Sequence, residues 1–264
     1  MKKTLQRFID HAISQLKSNS RVCGLAVGGS WITDEIDDFS DLDLIVVAAD
    51  ESYARLFDER FAITKSLGSN VSCFTVEHVA EPRLLICLFR DPLIHVDIKF
   101  VALRDFHERI ENPWIAWEVD GALSESLRQS APKKLDPNLQ WIEDRIWTWI
   151  HYGIAKVARD EILEVVGFLS FLREQVLGPL ALNINGNAAR GVRRIEQQLP
   201  DFAKKLRKTL PTYEKRSCLE AIRAAAELYK ELRSQYGGRK IKFNEEAEHE
   251  ILAYLAKVSS DHCC

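Results

Sequence analysis

Gly29 and Ser30 are followed, after nine intervening residues, by Ser40-Asp41-Leu42-Asp43, and the stretch behind them, Leu44 to Ala48, is apolar and largely β-branched. Alternation along a strand puts Asp41 and Asp43 on one face and Leu42 and Leu44 on the other. Two carboxylates on one face suit Mg²⁺, a hard cation commonly held by one or two carboxylates together with substrate phosphates. Upstream, Val22 to Val27 predicts a strand that breaks at Gly28-Gly29, with Ser30 opening a short helix. Glycines there let the backbone approach a phosphate, and the first N–H groups of a helix are free to meet it.

A third carboxylate is found in Leu93 to Phe100. Val96, Ile98 and Phe100 are expected on the core face of a strand, leaving His95, Asp97 and Lys99 on the other. An aspartate in mid-strand is unfavourable unless it is solvated, paired or bound to a cation. Asp97 is therefore the third candidate.

With Gly29, Ser30, Asp41, Asp43 and Asp97 in place, the first half of the chain resembles the nucleotidyltransferase superfamily related to DNA polymerase β. Within it, the likeness is to the branch of aminoglycoside and lincosamide adenylyltransferases. The family pattern is Gly-Ser, a spacer of this length, Ser-Asp-x-Asp, and a carboxylate on a later strand. The chain departs from it after Ser30, where Trp31-Ile32-Thr33-Asp34 stands in place of a basic residue and a glycine. Asp34 occupies the usual glycine position.

The resemblance implies transfer of a nucleoside monophosphate, AMP from ATP, to a hydroxyl of a small molecule such as an aminoglycoside or lincosamide, with release of pyrophosphate. Asp41, Asp43 and Asp97 would hold Mg²⁺, Gly29 and Ser30 would orient the leaving diphosphate, and Asp97 would take the hydroxyl proton. By the same analogy Lys156 or Arg159 of a helical domain would hold the triphosphate. Two other classes stay open: a regulatory or antitoxin module of this superfamily acting on a protein partner, and an Asp-x-Asp glycosyltransferase. Nucleic-acid binding is not expected, because no extended basic groove with interleaved aromatics is evident.

The elements that must carry these residues follow from periodicity. Leu5, Phe8, Ile9, Ala12, Ile13 and Leu16 are spaced for an amphipathic helix. Strands are predicted near 22–27, 42–48 and 71–76, with a helix from about Ser52 to Lys65 between the last two. Arg83 to Arg90 and Leu93 to Val101 predict a hairpin about Asp91-Pro92, and Trp114 to Val119 a last strand ended by Asp120-Gly121. The expected fold is an α/β (α+β) nucleotidyltransferase domain with a mixed sheet over 1–130, a linker at Ser130 to Pro137, and an all-α helical bundle over 138–260.

In the second half, one long helix is predicted from Leu139 to Leu177, with Ile146, Ile150, Ile154, Val157, Val165, Phe168 and Leu172 in one stripe. At 100° per residue Glu161 falls inside that stripe, with Lys156 and Arg159 opposite. An inward carboxylate needs a partner or loses its charge. Glu161 is thus a candidate for a structural ion pair, with Arg190, Arg193 or Arg194 as partner, or for a general base at a domain interface. Trp141, Trp147 and Trp149 read as helix packing.

The chain of 264 residues is 46% hydrophobic and 28% charged with net charge −3, enough apolar content for a sizeable core. Asp34 to Glu59 is acidic and Arg190 to Arg216 basic; both suit a solvated surface, and the acidic run would also suit a polycationic acceptor. The six cysteines show no paired metal-ligand spacing; three fall in predicted strands as core thiols, and Cys263-Cys264 reads as a frayed tail. Polar residues interrupt the N-terminus where a signal peptide would need an apolar core, and the apolar runs are shorter than the roughly 20 residues of a membrane span. The expectation is a soluble cytoplasmic protein.

Overall fold

The computed structural model describes residues 1–77, 81–134, 136–236 and 241–261. Cys263 and Cys264 lie outside them, as does one residue of the predicted linker, Leu135. The chain divides into two compact units, Met1–Lys133 and Lys134–Cys264.

The N-terminal unit is built on six strands: β1 (Val22–Val27), β2 (Leu42–Ala48), β3 (Asn70–Val76), β4 (Glu81–Phe89), β5 (Ile94–Ala102) and β6 (Trp114–Glu118). They pair in the order β3-β4-β5-β2-β1-β6. Only β2 and β5 run parallel; the other four pairings are antiparallel, so the sheet is mixed as expected. Alternation decides the faces. Leu42, Leu44, Val46, Val96, Ile98 and Phe100 are buried in one core with Leu5, Ile9, Ala12 and Leu16 of α1 (Lys2–Leu16). On the opposite face, Ala26, Val47 and Val101 pack with Phe106 and with Leu123 of α4 (Ala122–Arg128).

The single helix predicted from Ser52 to Lys65 is two, α2 (Tyr53–Asp58) and α3 (Arg60–Ser66). The break falls at Glu59, whose carboxylate is held by Arg21 at 2.5 Å and Arg55 at 3.1 Å. The Asp120-Gly121 turn forms as predicted, with both residues left-handed (φ +50° and +71°).

The C-terminal unit is helical throughout its described residues: α5 (Leu139–Ala158), α6 (Ile162–Leu172), α7 (Gly178–Ile184), α8 (Ile195–Gln198), α9 (Pro200–Leu206), α10 (Lys215–Gln235) and α11 (Glu245–Asp261). Asn138 caps α5 by accepting from the Trp141 N–H at 3.0 Å. Gly153 of α5 admits the Phe168 ring of α6, since a Cβ there would lie 2.4 Å from it. Ile162–Ile184, running from α6 through one π-helical turn into α7, is 23 residues long and apolar enough to cross a membrane, contrary to the short runs read from the sequence. Its residues Val165, Leu169, Leu172, Val176 and Leu180 belong to this unit's own core, which accounts for the apolarity.

The long helix predicted across Leu139 to Leu177 is interrupted at Arg159–Glu161, with Asp160 left-handed (φ +62°). The phase of α5 therefore does not carry into α6. Glu161 is not inside the apolar stripe but at the N-terminus of α6, its side chain 35% exposed. Lys156 donates to it, Arg159 Nε lies 2.9 Å from it, and both cations hold its carboxyl below the ordinary glutamate value. The predicted pairing of Glu161 with Arg190, Arg193 or Arg194 is thus replaced by a local one.

The carboxylate that does enter the helical core is Glu143, fully buried. It accepts from Tyr229 Oη at 2.5 Å, Arg233 Nη1 at 3.0 Å, Trp147 Nε1 at 3.3 Å and the Asn244 N–H at 3.2 Å. Those bonds tie α5 to α10 and to the segment entering α11. Burial and the adjacent Glu143 push the Tyr229 hydroxyl above its ordinary value, so it stays a donor. Trp141 packs edge-on to Trp149, Trp149 to Phe171 and Trp147 to Tyr229, the helix packing read from the sequence. Removing Glu143 leaves the buried Tyr229 hydroxyl without its acceptor, while Arg233 keeps Glu248 as countercharge. Glu143→Ala is expected to lower the unfolding free energy by about 1–3 kcal/mol, measured by urea denaturation followed through tryptophan fluorescence.

Candidate active site on the N-terminal sheet

The parallel pairing of β2 with β5 fixes the geometry of the carboxylates. Asp43 is the Cα partner of Asp97, Leu42 of Val96, and Ile45 of Lys99. Asp43 and Asp97 therefore stand abreast on the face opposite the α1 core, and Asp41 lies one residue before β2 begins. Asp97 is 22% exposed, and His95 Nε2 lies 2.8 Å from its Oδ1. His95, expected on the same strand face as Asp97, is there, exposed and within hydrogen-bond reach of it.

The turn after β1 closes on this pair. Gly28 N–H donates to the Asp43 carbonyl at 2.9 Å. Gly29 is left-handed (φ +62°), and a Cβ on it would lie 1.9 Å from Asp43 Oδ2. Glycine is thus required here twice, by backbone conformation and by contact with the carboxylate. Gly29 to Trp31 form one turn of 3₁₀ helix, shorter than the helix expected at Ser30 but at the same place. Asp34 is also left-handed (φ +56°), so it keeps the backbone shape that a glycine would supply. Lys2 pairs with it and holds its carboxyl below the ordinary value. Asp37 and Ser40 bond each other across the rest of the loop, at 2.9 and 3.0 Å.

Two groups near the turn had no signature in the sequence. Glu111 Oε1 accepts from the Gly29 N–H at 2.9 Å, which brings a fourth carboxylate beside the glycines. Trp31 stacks on Trp114 of β6, with centroids 5.7 Å apart and planes at 29°. A cleft of about 620 Å³ runs along the same sheet face, floored by Ile45, Lys99 and Val101 and bordered by Gly28, Arg83 and Glu111. Arg83 and Lys99 share Glu81, at 2.7 and 2.9 Å.

For a divalent cation, the donor set is of the right chemistry: hard carboxylate oxygens on one face, two of them on adjacent strands. Among the described residues, no three His, Cys, Asp or Glu side chains converge closely enough to ring a metal ion. The register supplies a row of carboxylates. Lys156, Arg159 and Glu161 lie in the helical unit and are bonded to one another, leaving that cluster one net positive charge.

No family model matches the chain, and no curated protein matches it. Solved structures similar to it include an aminoglycoside 6-adenyltransferase from Bacillus subtilis, with 15% identity, 97% of this chain and 98% of that one covered, and a TM-score of 0.44. A nucleotidyltransferase-like protein from Exiguobacterium sibiricum matches at 12% identity over 97% and 90% of the two chains, with a TM-score of 0.39. A spectinomycin adenyltransferase from Enterococcus faecialis matches at 12% identity over 94% and 98%, with a TM-score of 0.25.

Gly29 and Gly121 separate contact from conformation, because both are left-handed and only Gly29 has a neighbour where a Cβ would go. An alanine at either is expected to cost about 1–2 kcal/mol of backbone strain. Gly29→Ala should cost measurably more by chemical denaturation, since Asp43 must also move. Glu81 gives a pH signature: Arg83 foremost, then Lys99, hold its carboxyl down at about 2 from an ordinary 4.5, against an upward push from burial. Its contribution to stability is full above pH 4.5 and is lost as pH falls through about 2. Glu81→Gln is therefore expected to be less stable than the parent at pH 7, with the gap closing between pH 4 and 2 in denaturation series at each pH.

Proposed function

We propose that the chain is a divalent-cation-dependent nucleotidyltransferase that transfers AMP from ATP to a hydroxyl of a small molecule, an aminoglycoside or lincosamide antibiotic being the leading class, with release of pyrophosphate. The observation that carries this is the Gly28-Gly29 turn seated against Asp43, with Asp97 in register beside it. That arrangement brings a glycine backbone within reach of a phosphate at the place where carboxylates can hold its counter-ion.

In this reading Asp43 and Asp97, with Asp41 just before β2, would hold Mg²⁺, which would neutralise phosphate charge and lower the acceptor hydroxyl's pKa. The protein's own part is positional. Gly29 and Ser30 orient the leaving diphosphate, and the sheet-face cleft receives the substrates. Asp97 takes the hydroxyl proton on a carboxylate oxygen, and an Nε2–H tautomer of His95 donates to its Oδ1 and fixes its orientation. Glu161, countered by Lys156 and Arg159, suits a structural pair better than a base. The residual positive charge of that cluster is the helical unit's candidate for the triphosphate.

Isothermal titration of MgATP into the parent and into Asp41→Asn combined with Asp43→Asn tests the assignment. Binding is expected in the parent and its loss in the double variant; unchanged binding would make the carboxylate assignment wrong. A radiolabelled-ATP transfer assay across an antibiotic panel then finds the acceptor. Intact MgATP binding with no transfer to any antibiotic would move the assignment to a protein acceptor.

A further inference from the structure

Cys73 and Cys87 have no part in the site described above, and the sheet places them side by side. They are Cα partners in the antiparallel β3–β4 pairing, and the Cys87 thiol approaches Cys73 Sγ at 3.3 Å. Directly opposed residues of antiparallel strands have Cα atoms about 4.5–5.5 Å apart, inside the range a disulfide spans. Bond formation needs the sulfurs to close by about 1.3 Å. The two thiols also differ in access. Cys87 is fully buried on the inner strand β4, whereas Cys73 is half-buried on β3, the edge strand of the sheet.

We propose that Cys73 and Cys87 are a site of oxidative modification, in which a low-molecular-weight disulfide such as oxidised glutathione reacts at Cys73 and Cys87 resolves the adduct into a cross-strand disulfide. In the first step the Cys73 thiolate attacks one glutathione sulfur, the glutathione S–S bond breaks, and one glutathione leaves as thiolate and is protonated. In the second, Cys87 gives its proton to solvent and attacks Cys73 Sγ, expelling the other glutathione. Two protein thiols are oxidised and one glutathione disulfide is reduced to two thiols, so electrons and protons balance.

The order of events follows from the surroundings of Cys87. Burial, first, and then the hydrogen bond and charge of Cys73 push the Cys87 thiol up, which makes it a poor entry point. The half-buried Cys73 on the edge strand is therefore the thiol modified first, and Cys87, whose Sγ lies 3.3 Å away, is placed to resolve the adduct.

The test is incubation of the native full-length chain with oxidised glutathione, quenching by alkylation, and peptide mass spectrometry over time. Expected are transient glutathione on Cys73, then a Cys73–Cys87 linked peptide two hydrogens lighter than the separate thiols, with circular dichroism unchanged. Cys87→Ser should stall with glutathione on Cys73, and Cys73→Ser should leave Cys87 unmodified until the protein is denatured. The time course in the parent needs no variant to fold. Stable glutathione on Cys73 of the parent with Cys87 still reduced would overturn the proposal, as would an unreacted Cys73.

Discussion

Two aspartates held abreast on neighbouring strands set the terms for the N-terminal unit. Like charges directly opposite in a sheet are destabilising. At strand spacing, with an effective dielectric near 20, the repulsion is about 3 kcal/mol. The sheet nevertheless puts Asp43 and Asp97 in the same register position, on its one parallel pairing. That register cannot slip by one residue without turning Leu42, Leu44 and Val46 out of the core they share with α1. The apolar face thus holds the charged face in an arrangement it would not adopt alone. A nearby His95 offsets part of the cost at Asp97, and a divalent cation would offset more.

The glycine turn completes this constraint. Because Gly29 packs on Asp43 Oδ2 and its N–H points to Glu111, the backbone, β2 and the segment after β5 meet at one point. Asp34 adopts the left-handed conformation that glycine takes most readily, so the loop turns there without a glycine. What it adds is charge, and Lys2 counters that charge from the start of α1. The acidic loop therefore faces the solvent as a partly neutralised surface.

How far the sequence was legible depended on whether a signal was local. Strand alternation placed β1, β2, β5 and β6 within a residue or two, and with them the shared face of Asp43 and Asp97. The helical period failed at Glu161 because the phase was carried through Asp160, a left-handed residue with neither glycine nor proline to announce it. Glu143 was readable by the same period applied earlier: it lies four residues before Trp147 and seven before Ile150, all buried. Its partners Tyr229 and Arg233 are far along the chain, so no local signal marks a buried charge there as satisfied. Glu111 and the Trp31–Trp114 stack had no local signature at all, since topology alone brings them to the glycine turn.

The charges along the cleft bear on what it can hold. Arg83, Lys99, Arg109 and Lys133 supply positive charge to its lining and Asp105, Glu108 and Glu111 negative charge, with Glu81 bonded to both Arg83 and Lys99. A cleft so balanced gives little attraction to a polyanion by its own field, because opposite charges within a Debye length largely cancel at a distance. Attraction to a triphosphate would then have to come from a cation brought with it and from backbone donors at close range, both of which act only once the ligand is seated. The lining's net charge thus selects little by itself, and discrimination between ligands rests on the close-range donors and acceptors along the cleft.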